Sequence, residues 1–294
     1  MHEIYVPLPS KENLSLYERL NFDGFLVGIK GFSSNFNYCY DIEELKELNT
    51  KKKVYICLNR LYYNSEIDDV KNLVKELIKL DITGICYTDI GVLNILNELG
   101  FDKEIFWISN HMGTNSKTIN FLEKRNVDLA LLSNEITIDE IINIKKNTNI
   151  KIGAKLYGFL NMATSSRKLI TNYFDYTDTK KDKDKYEIED KVKKDKYIIV
   201  EERDTNFFTG KVLNGLLHLP RLLDNNIDFI FLDSYMLDEK EFYNVAECFV
   251  LLKSNTNDEK YLNDLNEVVK TNSKYETFDG FLDKKTVFKV EDYE

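Results

Sequence analysis

Short β-prone runs alternate with amphipathic helical segments along most of this chain. In the segment 66–80, apolar residues recur at helical spacing and would form a single apolar stripe: Ile67, Val70, Val74, Leu77 and Ile78. Strands that alternate with helices in this way are typical of successive βα units with a parallel sheet. The predicted strands are 4–8, 24–29, 53–59, 84–89, 104–109, 129–133, 150–158 and 228–235.

Eight βα units most simply close into a barrel, so the pattern predicts an α/β fold of the TIM-type (β/α)8 class. We assign residues 1–254 to this barrel domain. Within it, Thr137 followed by Glu140 fits a capping box that opens a helix. Residues 255–294 are expected to form a short C-terminal extension that packs on the barrel.

The interval 159–227, after the seventh strand, is too long for an ordinary crossover. It predicts an insertion, a loop and hairpin region at 159–215, on the face formed by the carboxyl ends of the strands. Residues 178–196 mix both charge signs with few apolar side chains, which favours a solvated hairpin, a short helix or a mobile loop. Residues 197–214 then resemble a β-hairpin, with turn residues between two β-prone runs.

Composition and charge narrow the class of protein. The chain has 294 residues, and a hydrophobic content of 43% is ample for a large core. Its formal net charge of −10 argues against broad adhesion to nucleic acid or anionic membrane. No apolar run approaches the roughly 20 residues that span a bilayer, and the first residues do not resemble a signal peptide. We therefore expect a cytoplasmic protein without a membrane partner.

Four cysteines lie at positions 39, 57, 86 and 248. Their spacing matches neither a disulfide framework nor a zinc site. Cys57 and Cys86 fall inside apolar strands, where we expect them to act as small buried hydrophobic residues.

Polar residues follow the predicted strands, at the end of the barrel where ligands bind. His111 could act as an acid or a base near neutral pH, and Asp89 with Glu135 could form a carboxylate pair. Alternatively, the His111 ring hydrogen-bonds a neighbouring loop, and the carboxylates cap helices; we favour capping for Asp89. The same end should hold Arg60, Asn134, Asp233, Tyr235 and the substrate-binding candidates Asn59, Asn110, Tyr157, Asn161, Arg167 and Lys168.

Two of these candidates are basic, and one neighbouring loop is aromatic. Arg167 and Lys168 could bind a carboxylate or a phosphate, or they could be solvated loop residues. The loop 30–40 is rich in aromatic and amide side chains, so it could stack on a ring or simply pack the rim.

Residues 153–172, GAKLYGFLNMATSSRKLITN, carry the strongest motif. They resemble the signature of the collagenase-like peptidase family U32, Glu-x-Phe-x-x-Gly-small-aliphatic-Cys, then four residues, then Gly-x-Cys-x-aliphatic-Ser. Gly158 fits this signature, as do Leu160 and Ile170. Asn161 and Lys168 occupy the two cysteine positions.

Weaker landmarks follow the family order along nearly the whole chain. They are the segments 53–61, 88–96, 109–122, 131–141 and 200–236, with 278–290 similar to the closing Gly-Phe-Leu segment of the family. Arg203 is retained from the family's Glu-x-Arg, which adds it to the substrate-binding candidates. The residues at 232–235 replace the family's Ile-Glu-Gly-Arg.

The resemblance implies iron-sulfur chemistry for the family, but this chain lacks the cysteines that would bind the cluster. In this family the signature cysteines, with two more downstream, hold an iron-sulfur cluster. Because an amide and an ammonium cannot replace thiolates as iron ligands, we expect neither a cluster nor another metal in this chain.

Characterised members of the family are hydroxylation factors acting on tRNA uridine, ribosomal RNA cytidine or a quinone precursor, and some work in pairs. We therefore expect an accessory subunit of a tRNA uridine hydroxylation system, with a cysteine-bearing paralogue as partner and tRNA as a further candidate partner. One alternative is a self-sufficient peptidase built on His111, Asp89 and Glu135, although no nucleophile elbow or zinc-protease helix is recognisable. Another is a protein that binds a carboxylate metabolite through Arg167 and Lys168.

Overall fold

The computed structural model describes residues 2–192, 194–255 and 258–283. Most of the strands belong to one closed barrel and to an antiparallel sheet that extends from it. The strands are β1 (Glu3–Pro7), β2 (Gly24–Ile29), β3 (Cys39–Tyr40), β4 (Lys53–Leu58), β5 (Gly84–Tyr87), β6 (Glu104–Ile108), β7 (Leu129–Leu131), β8 (Lys151–Ser165), β9 (Lys185–Glu189), β10 (Lys196–Glu201), β11 (Thr205–Asn214), β12 (Phe229–Leu232) and β13 (Thr277–Phe278).

Helices connect the barrel strands and cover the outside of the barrel. They are α1 (Leu14–Tyr17), α2 (Ile42–Lys46), α3 (Ile67–Leu77), α4 (Ile90–Glu98), α5 (Ser116–Glu123), α6 (Ile138–Lys146), α7 (Leu169–Tyr176), α8 (Leu219–Asp224), α9 (Glu239–Ser254) and α10 (Glu259–Asn272), with 3-10 turns at Asn64–Glu66 and Leu216–His218. The predicted capping box is confirmed, because the Thr137 side chain accepts from the Glu140 amide and the Glu140 carboxylate accepts from the Thr137 amide.

The barrel closes through β12, which pairs in parallel with β1 on one side and with β8 on the other. The remaining parallel neighbours follow the order β1, β2, β4, β5, β6, β7, β8. The predicted TIM-type barrel is therefore confirmed. Its eight parallel strands correspond to the eight predicted β-prone runs.

The inside of the barrel is filled by alternate residues of the strands, and aromatic rings form its centre. Phe106 packs edge-on against Tyr55 and Phe229, with ring centroids 5.5 and 5.2 Å away. Gly153 leaves room for this cluster, because a Cβ at this position would lie 2.3 Å from the Phe229 ring. Cys57 and Cys86 are buried in the same interior, as predicted.

Ion pairs line the amino-terminal end of the barrel interior. Lys53 binds Glu3 at 2.7 Å, and Lys151 binds Glu104 at 2.8 Å. The Tyr55 ring belongs to the aromatic cluster in the barrel interior, and its hydroxyl donates a hydrogen bond to Glu104. Burial raises the pKa of Tyr55, and its hydrogen bond to Glu104 raises it further, so the phenol stays protonated and able to donate. These contacts fill the amino-terminal end of the barrel.

Strand β8 continues beyond the barrel. The sequence predicts its end at residue 158, but it runs to Ser165 because β11 pairs with its outer half in antiparallel fashion, from Tyr157–Asn214 to Ser165–Thr205. The predicted hairpin at 197–214 is confirmed as β10 and β11. In the charged segment 178–196, β9 forms and pairs with β10. The insertion thus builds an antiparallel sheet on the carboxyl end of the barrel.

A buried carboxylate, Glu201 at the end of β10, holds helix α7 on this sheet. It accepts from the backbone amides of Ile170 (2.8 Å) and Thr171 (3.1 Å), and Lys181 binds it at 3.0 Å. Burial alone would raise the pKa of Glu201, but the hydrogen bonds from Thr171 and Lys181 outweigh it and lower the pKa to about 2.

The described part of the C-terminal extension contacts both the barrel and the insertion. Helix α10 lies against α9, β13 pairs in parallel with β11, and the Leu282 carbonyl accepts from the Ile138 amide at 2.9 Å. The segment similar to the closing Gly-Phe-Leu of the family is described only up to residue 283, and its remainder lies outside the described residues. Within the described ranges, no helix has the length and apolar character needed to cross a membrane.

Replacing Glu201 by glutamine should loosen the insertion. Glu201→Gln removes a charge that accepts several hydrogen bonds, and we expect a loss of about 1.5–3 kcal/mol in the free energy of unfolding. Glu187→Gln is the matched control, because Glu187 lies on neighbouring β9 and its ion pair with Lys196 is exposed; the denaturation midpoint should not change.

The same contact should make the insertion sensitive to acid. The folded-state pKa of Glu201, about 2, lies below its ordinary value of 4.5. The stabilisation is therefore complete above pH 4.5 and is lost as the pH falls towards 2. The protection of the α7 amides against hydrogen exchange, corrected for the intrinsic pH dependence of exchange, should fall over this range in the wild type and less in Glu201→Gln. An equal acid response in both proteins would contradict the assignment.

Candidate functional site

A cavity of about 270 Å³ opens at the carboxyl end of the barrel. Its floor is apolar and continues the barrel interior through Leu26, Cys57, Leu131 and Phe231. The walls come from the loops that follow the strands and from the paired outer parts of β8 and β11. An apolar base with a small number of polar groups above it is typical of a ligand site.

A buried ion pair joins two walls of the cavity. Lys155 of β8 binds Asp233, just after β12, at 2.7 Å, and it also donates to the Phe159 carbonyl at 2.6 Å. The Asp233 carboxylate accepts from the Tyr235 amide at 3.0 Å. The side chain of Lys155 is only 5% exposed and that of Asp233 only 14%. Each charge therefore depends on the other for its compensation.

Gly158 permits this pairing. Its φ angle is +115°, and a Cβ at this position would lie 2.6 Å from the Asp233 carbonyl oxygen. The register between β12 and β8 shifts just before it, between the Phe231–Lys155 and Leu232–Tyr157 pairs. A residue with a side chain would be strained in conformation and would also collide with Asp233. The backbone at position 158 therefore requires glycine.

Arg60 and Asp204 form a second polar wall, and Arg60 connects it to Glu66 and Arg203 outside the cavity lining. Arg60 donates to the Gly31 carbonyl and lies 3.5 Å from Glu66, which also binds Arg203. Burial raises the pKa of neighbouring Asp204, although Arg60 acts in the opposite direction. The Nε atom of Arg60 is buried and has no hydrogen-bond partner among the described residues.

Amide side chains complete the walls, and most are fixed by neighbours. Asn59 forms two 3.0 Å hydrogen bonds with the backbone of Ser34, which fasten the loop after β2 to the loop after β4. The side-chain oxygen of Asn110 accepts a hydrogen bond from the side-chain amide of Asn134 at 3.3 Å. These contacts hold the loops in place before any ligand binds.

Asn161, at the first cysteine position of the motif, lies in a buried amide network. Its side-chain amide donates to Asn206 at 3.1 Å, and the Thr164 hydroxyl donates to the same Asn206 oxygen at 2.7 Å. Lys168, at the second cysteine position, is exposed just before α7. Within the described ranges, no three His, Cys, Asp or Glu side chains are grouped to hold a metal ion.

The structure brings four of the ten site candidates to the cavity: Asn59, Asn110, His111 and Asn161. His111 Nδ1 lies 3.6 Å from a carboxylate oxygen of Glu135, which is 52% exposed and outside the cavity lining. The Nε2 atom of His111 is buried and has no hydrogen-bond partner in the described part of the chain.

The other candidates lie elsewhere. Asp89 caps α4, accepting from the Gly91 amide at 2.8 Å, and it also accepts from the Tyr62 amide, so its carboxylate serves the helix start. Tyr157 is buried among aromatic rings of α9 instead of facing the cavity. Arg203 is bound by Glu66 behind the cavity wall, and Arg167, like Lys168, is exposed on the insertion. Asp89, His111 and Glu135 therefore do not form one catalytic group.

Several lining residues were not selected from the sequence: Lys155, Asp204, Thr88 and Phe208. Phe36 also lines the cavity, and it belongs to the aromatic loop 30–40 that the sequence analysis considered for stacking. Alternation along β8 could have found Lys155, because Lys151, Gly153 and Lys155 share the inward face. No local sequence pattern indicates Asp204 and Phe208 as site residues, because they reach the cavity only when β11 pairs with β8. The sequence placed Asp233 at a strand end, but only the closed barrel shows that it pairs with Lys155.

Comparison with known proteins agrees with this architecture. The model of peptidase family U32 matches residues 23–291. The chain is 25% identical over 268 residues to tRNA hydroxylation protein P2 of Bacillus subtilis, which covers 84% of this chain and 85% of that protein. The match covers most of the chain, so the chain belongs to peptidase family U32.

Two further relatives are longer proteins. The chain is 23% identical over 184 residues to tRNA hydroxylation protein P1 of Bacillus subtilis, covering 60% of this chain and 43% of that protein. It is 24% identical over 183 residues to Collagenase of Porphyromonas gingivalis, covering 56% and 44%. The aligned regions thus span less than half of these two relatives.

A mutant cycle should detect the coupling of Lys155 and Asp233. Asp233→Asn and Lys155→Met each leave one buried charge without compensation, and each should cost about 3–5 kcal/mol in the free energy of unfolding. The double variant Lys155→Met, Asp233→Asn leaves neither charge and should recover most of this loss. Urea denaturation provides the measurement. A double variant that shows the sum of the two single losses would contradict the coupling.

Proposed function

We propose that this member of peptidase family U32 is the accessory, substrate-binding subunit of a tRNA uridine hydroxylation system whose other subunit is a cysteine-bearing member of the same family. The proposal depends on one observation: Asn161 occupies a cysteine position of the family signature, and its side chain lies in a network of amide hydrogen bonds. The relationship to tRNA hydroxylation protein P2 over most of both chains supports the choice of RNA as substrate.

The residues of this chain do not fit an iron-sulfur cluster. Such a cluster needs several thiolates in one place. Cys57 and Cys86 are register partners on β4 and β5, but in the described part of the chain no three His, Cys, Asp or Glu side chains are grouped to bind a metal. Burial raises the pKa of Cys39 and Cys248 to about 11 and also raises the pKa of Cys86, which disfavours the thiolate form that binds iron. Hydroxylation of a ring carbon is an oxidation, so a partner has to supply the redox group.

The part left to this chain is to bind and orient the substrate. The polar side chains of its cavity are preorganised for this role, because Asn59 and Asn110 are held by neighbouring loops and Lys155 is held by Asp233. Polar groups that are fixed before binding lose little entropy when a ligand arrives.

Loss of the gene should abolish one tRNA modification. We expect mass spectrometry of tRNA nucleosides from a deletion strain to show no hydroxylated uridine, with recovery when the gene is supplied in trans. A tagged copy should also co-purify with a cysteine-bearing member of the family. Unchanged hydroxylation in the deletion strain would refute the proposal. Peptide hydrolysis by the purified chain that is abolished in His111→Ala would favour a peptidase instead.

The purified chain should not bind a stoichiometric cluster. After anaerobic incubation with iron and sulfide, followed by desalting, we expect neither bound sulfide nor the visible absorption of a cluster. The cysteine-bearing partner, treated in parallel, is the positive control. A brown chain with stoichiometric iron and sulfide would show that it carries its own redox group and would overturn the accessory role.

A further inference from the structure

Strand β9 forms an open edge of the antiparallel sheet in the insertion. It pairs with β10 on one side, and among the described residues no strand pairs with its other side. Such an edge presents a row of backbone N–H and C=O groups that can pair with another chain. No residue of β9 belongs to the lining of the barrel cavity. The edge is therefore a possible interaction surface that is separate from the cavity.

The hydrogen bonds at the two ends of β9 show which of its backbone groups face this edge. The Glu201 amide donates to the Asp184 carbonyl, and the Asp190 amide donates to the Asp195 carbonyl, each at 2.8 Å. In an antiparallel pair, hydrogen-bonded and non-hydrogen-bonded positions alternate along each strand. The even-numbered residues of β9 therefore bond to β10. The residues that turn their N–H and C=O groups outward are Lys185, Glu187 and Glu189.

The side chains of β9 also alternate. Lys185, Glu187 and Glu189 lie on one face of the sheet, and Tyr186 and Ile188 lie on the other. The Tyr186 ring packs against α7, whereas Ile188 is 43% exposed. The second face therefore has apolar area that a neighbouring strand could cover.

The order of residues in β9 is complementary to itself. When two copies of the strand pair in antiparallel fashion about Glu187, Lys185 of each copy lies opposite Glu189 of the other. Tyr186 of each copy then lies opposite Ile188 of the other. Opposite charges and apolar side chains in these cross-strand positions stabilise a pair of strands. All three outward-facing residues also meet one another in this register, and each pair exchanges two hydrogen bonds.

Glu187 meets its own copy at the centre of this register. Like charges directly opposite one another destabilise a strand pair. The Glu187 carboxylate, however, binds Lys196 of its own chain at 2.8 Å. Two Glu187–Lys196 ion pairs therefore face each other at the centre, in place of two uncompensated carboxylates.

We propose that two copies of this chain associate through β9, so that their insertions form one continuous antiparallel sheet across a two-fold axis at Glu187. The contact is closed, because each copy uses the same surface. Five residues from each copy make a small interface, so we expect a Kd on the order of 0.1 mM and a mostly monomeric chain at micromolar concentration. This association does not depend on the proposed function.

Sedimentation velocity of the purified full chain tests the association. The average mass should rise from 34.6 kDa towards twice that value as the concentration increases from about 10 µM to about 1 mM. Glu187→Pro should abolish this rise, because proline removes an outward N–H group and keeps the bonds to β10. Circular dichroism would show that the variant folds. A constant wild-type mass over this range would refute the proposal, and so would a dimer that persists in Glu187→Pro.

Charge reversal tests the register with variants that keep the backbone intact. Lys185→Glu and Glu189→Lys each place like charges opposite one another twice, so each should raise the Kd of self-association by about tenfold or more. Lys211→Glu is the matched control, because Lys211 is an exposed lysine on β11 of the same sheet. Its Kd should equal that of the wild type.

A mixture of the two reversed chains gives the sharpest outcome. When Lys185→Glu is mixed with Glu189→Lys, each glutamate at one position faces a lysine at the other, so both ion pairs are restored. The mixture should therefore dimerise about as tightly as the wild type, although neither variant does so alone. A mixture that stays monomeric, or an unchanged Kd in the single variants, would overturn the register and with it the proposed dimer.

Discussion

Strand β8 belongs to two sheets, and the conformation of Gly158 makes this possible. Its first half closes the barrel against β12, and its second half pairs with β11 outside the barrel. The positive φ of Gly158 and its missing side chain let the strand change partners while it stays in contact with Asp233. Without this contact the closure of the barrel and the position of the insertion would no longer be linked.

The site depends on the same junction. Because β8 and β12 meet at this point, Lys155 and Asp233 come within 2.7 Å and compensate each other in a buried position. The β10–β11 hairpin returns to the cavity through Phe208 of β11. Its tip is held by Tyr235, whose hydroxyl donates to Glu202 at 3.1 Å. The result is a polar cavity with balanced charges and walls that are fixed from several sides.

The two cysteine positions of the family have different surroundings in this chain. Asn161 is buried and hydrogen-bonded to Asn206, whereas Lys168 is exposed before a helix that Glu201 anchors. The contacts around both positions therefore come from residues of this chain.

The sequence by itself determined the barrel, the hairpin and the capping roles of Thr137 and Asp89, because strand alternation, helical periodicity and helix caps depend on residues close together in the chain. It also placed Asn110 and His111 at a strand end that faces the cavity. Only the tertiary structure decided which polar residues meet. Lys155 faces the cavity, and Tyr157, two residues later, turns into the core because the register between β8 and β12 shifts between them. Asp233 and the returning hairpin come from far along the chain.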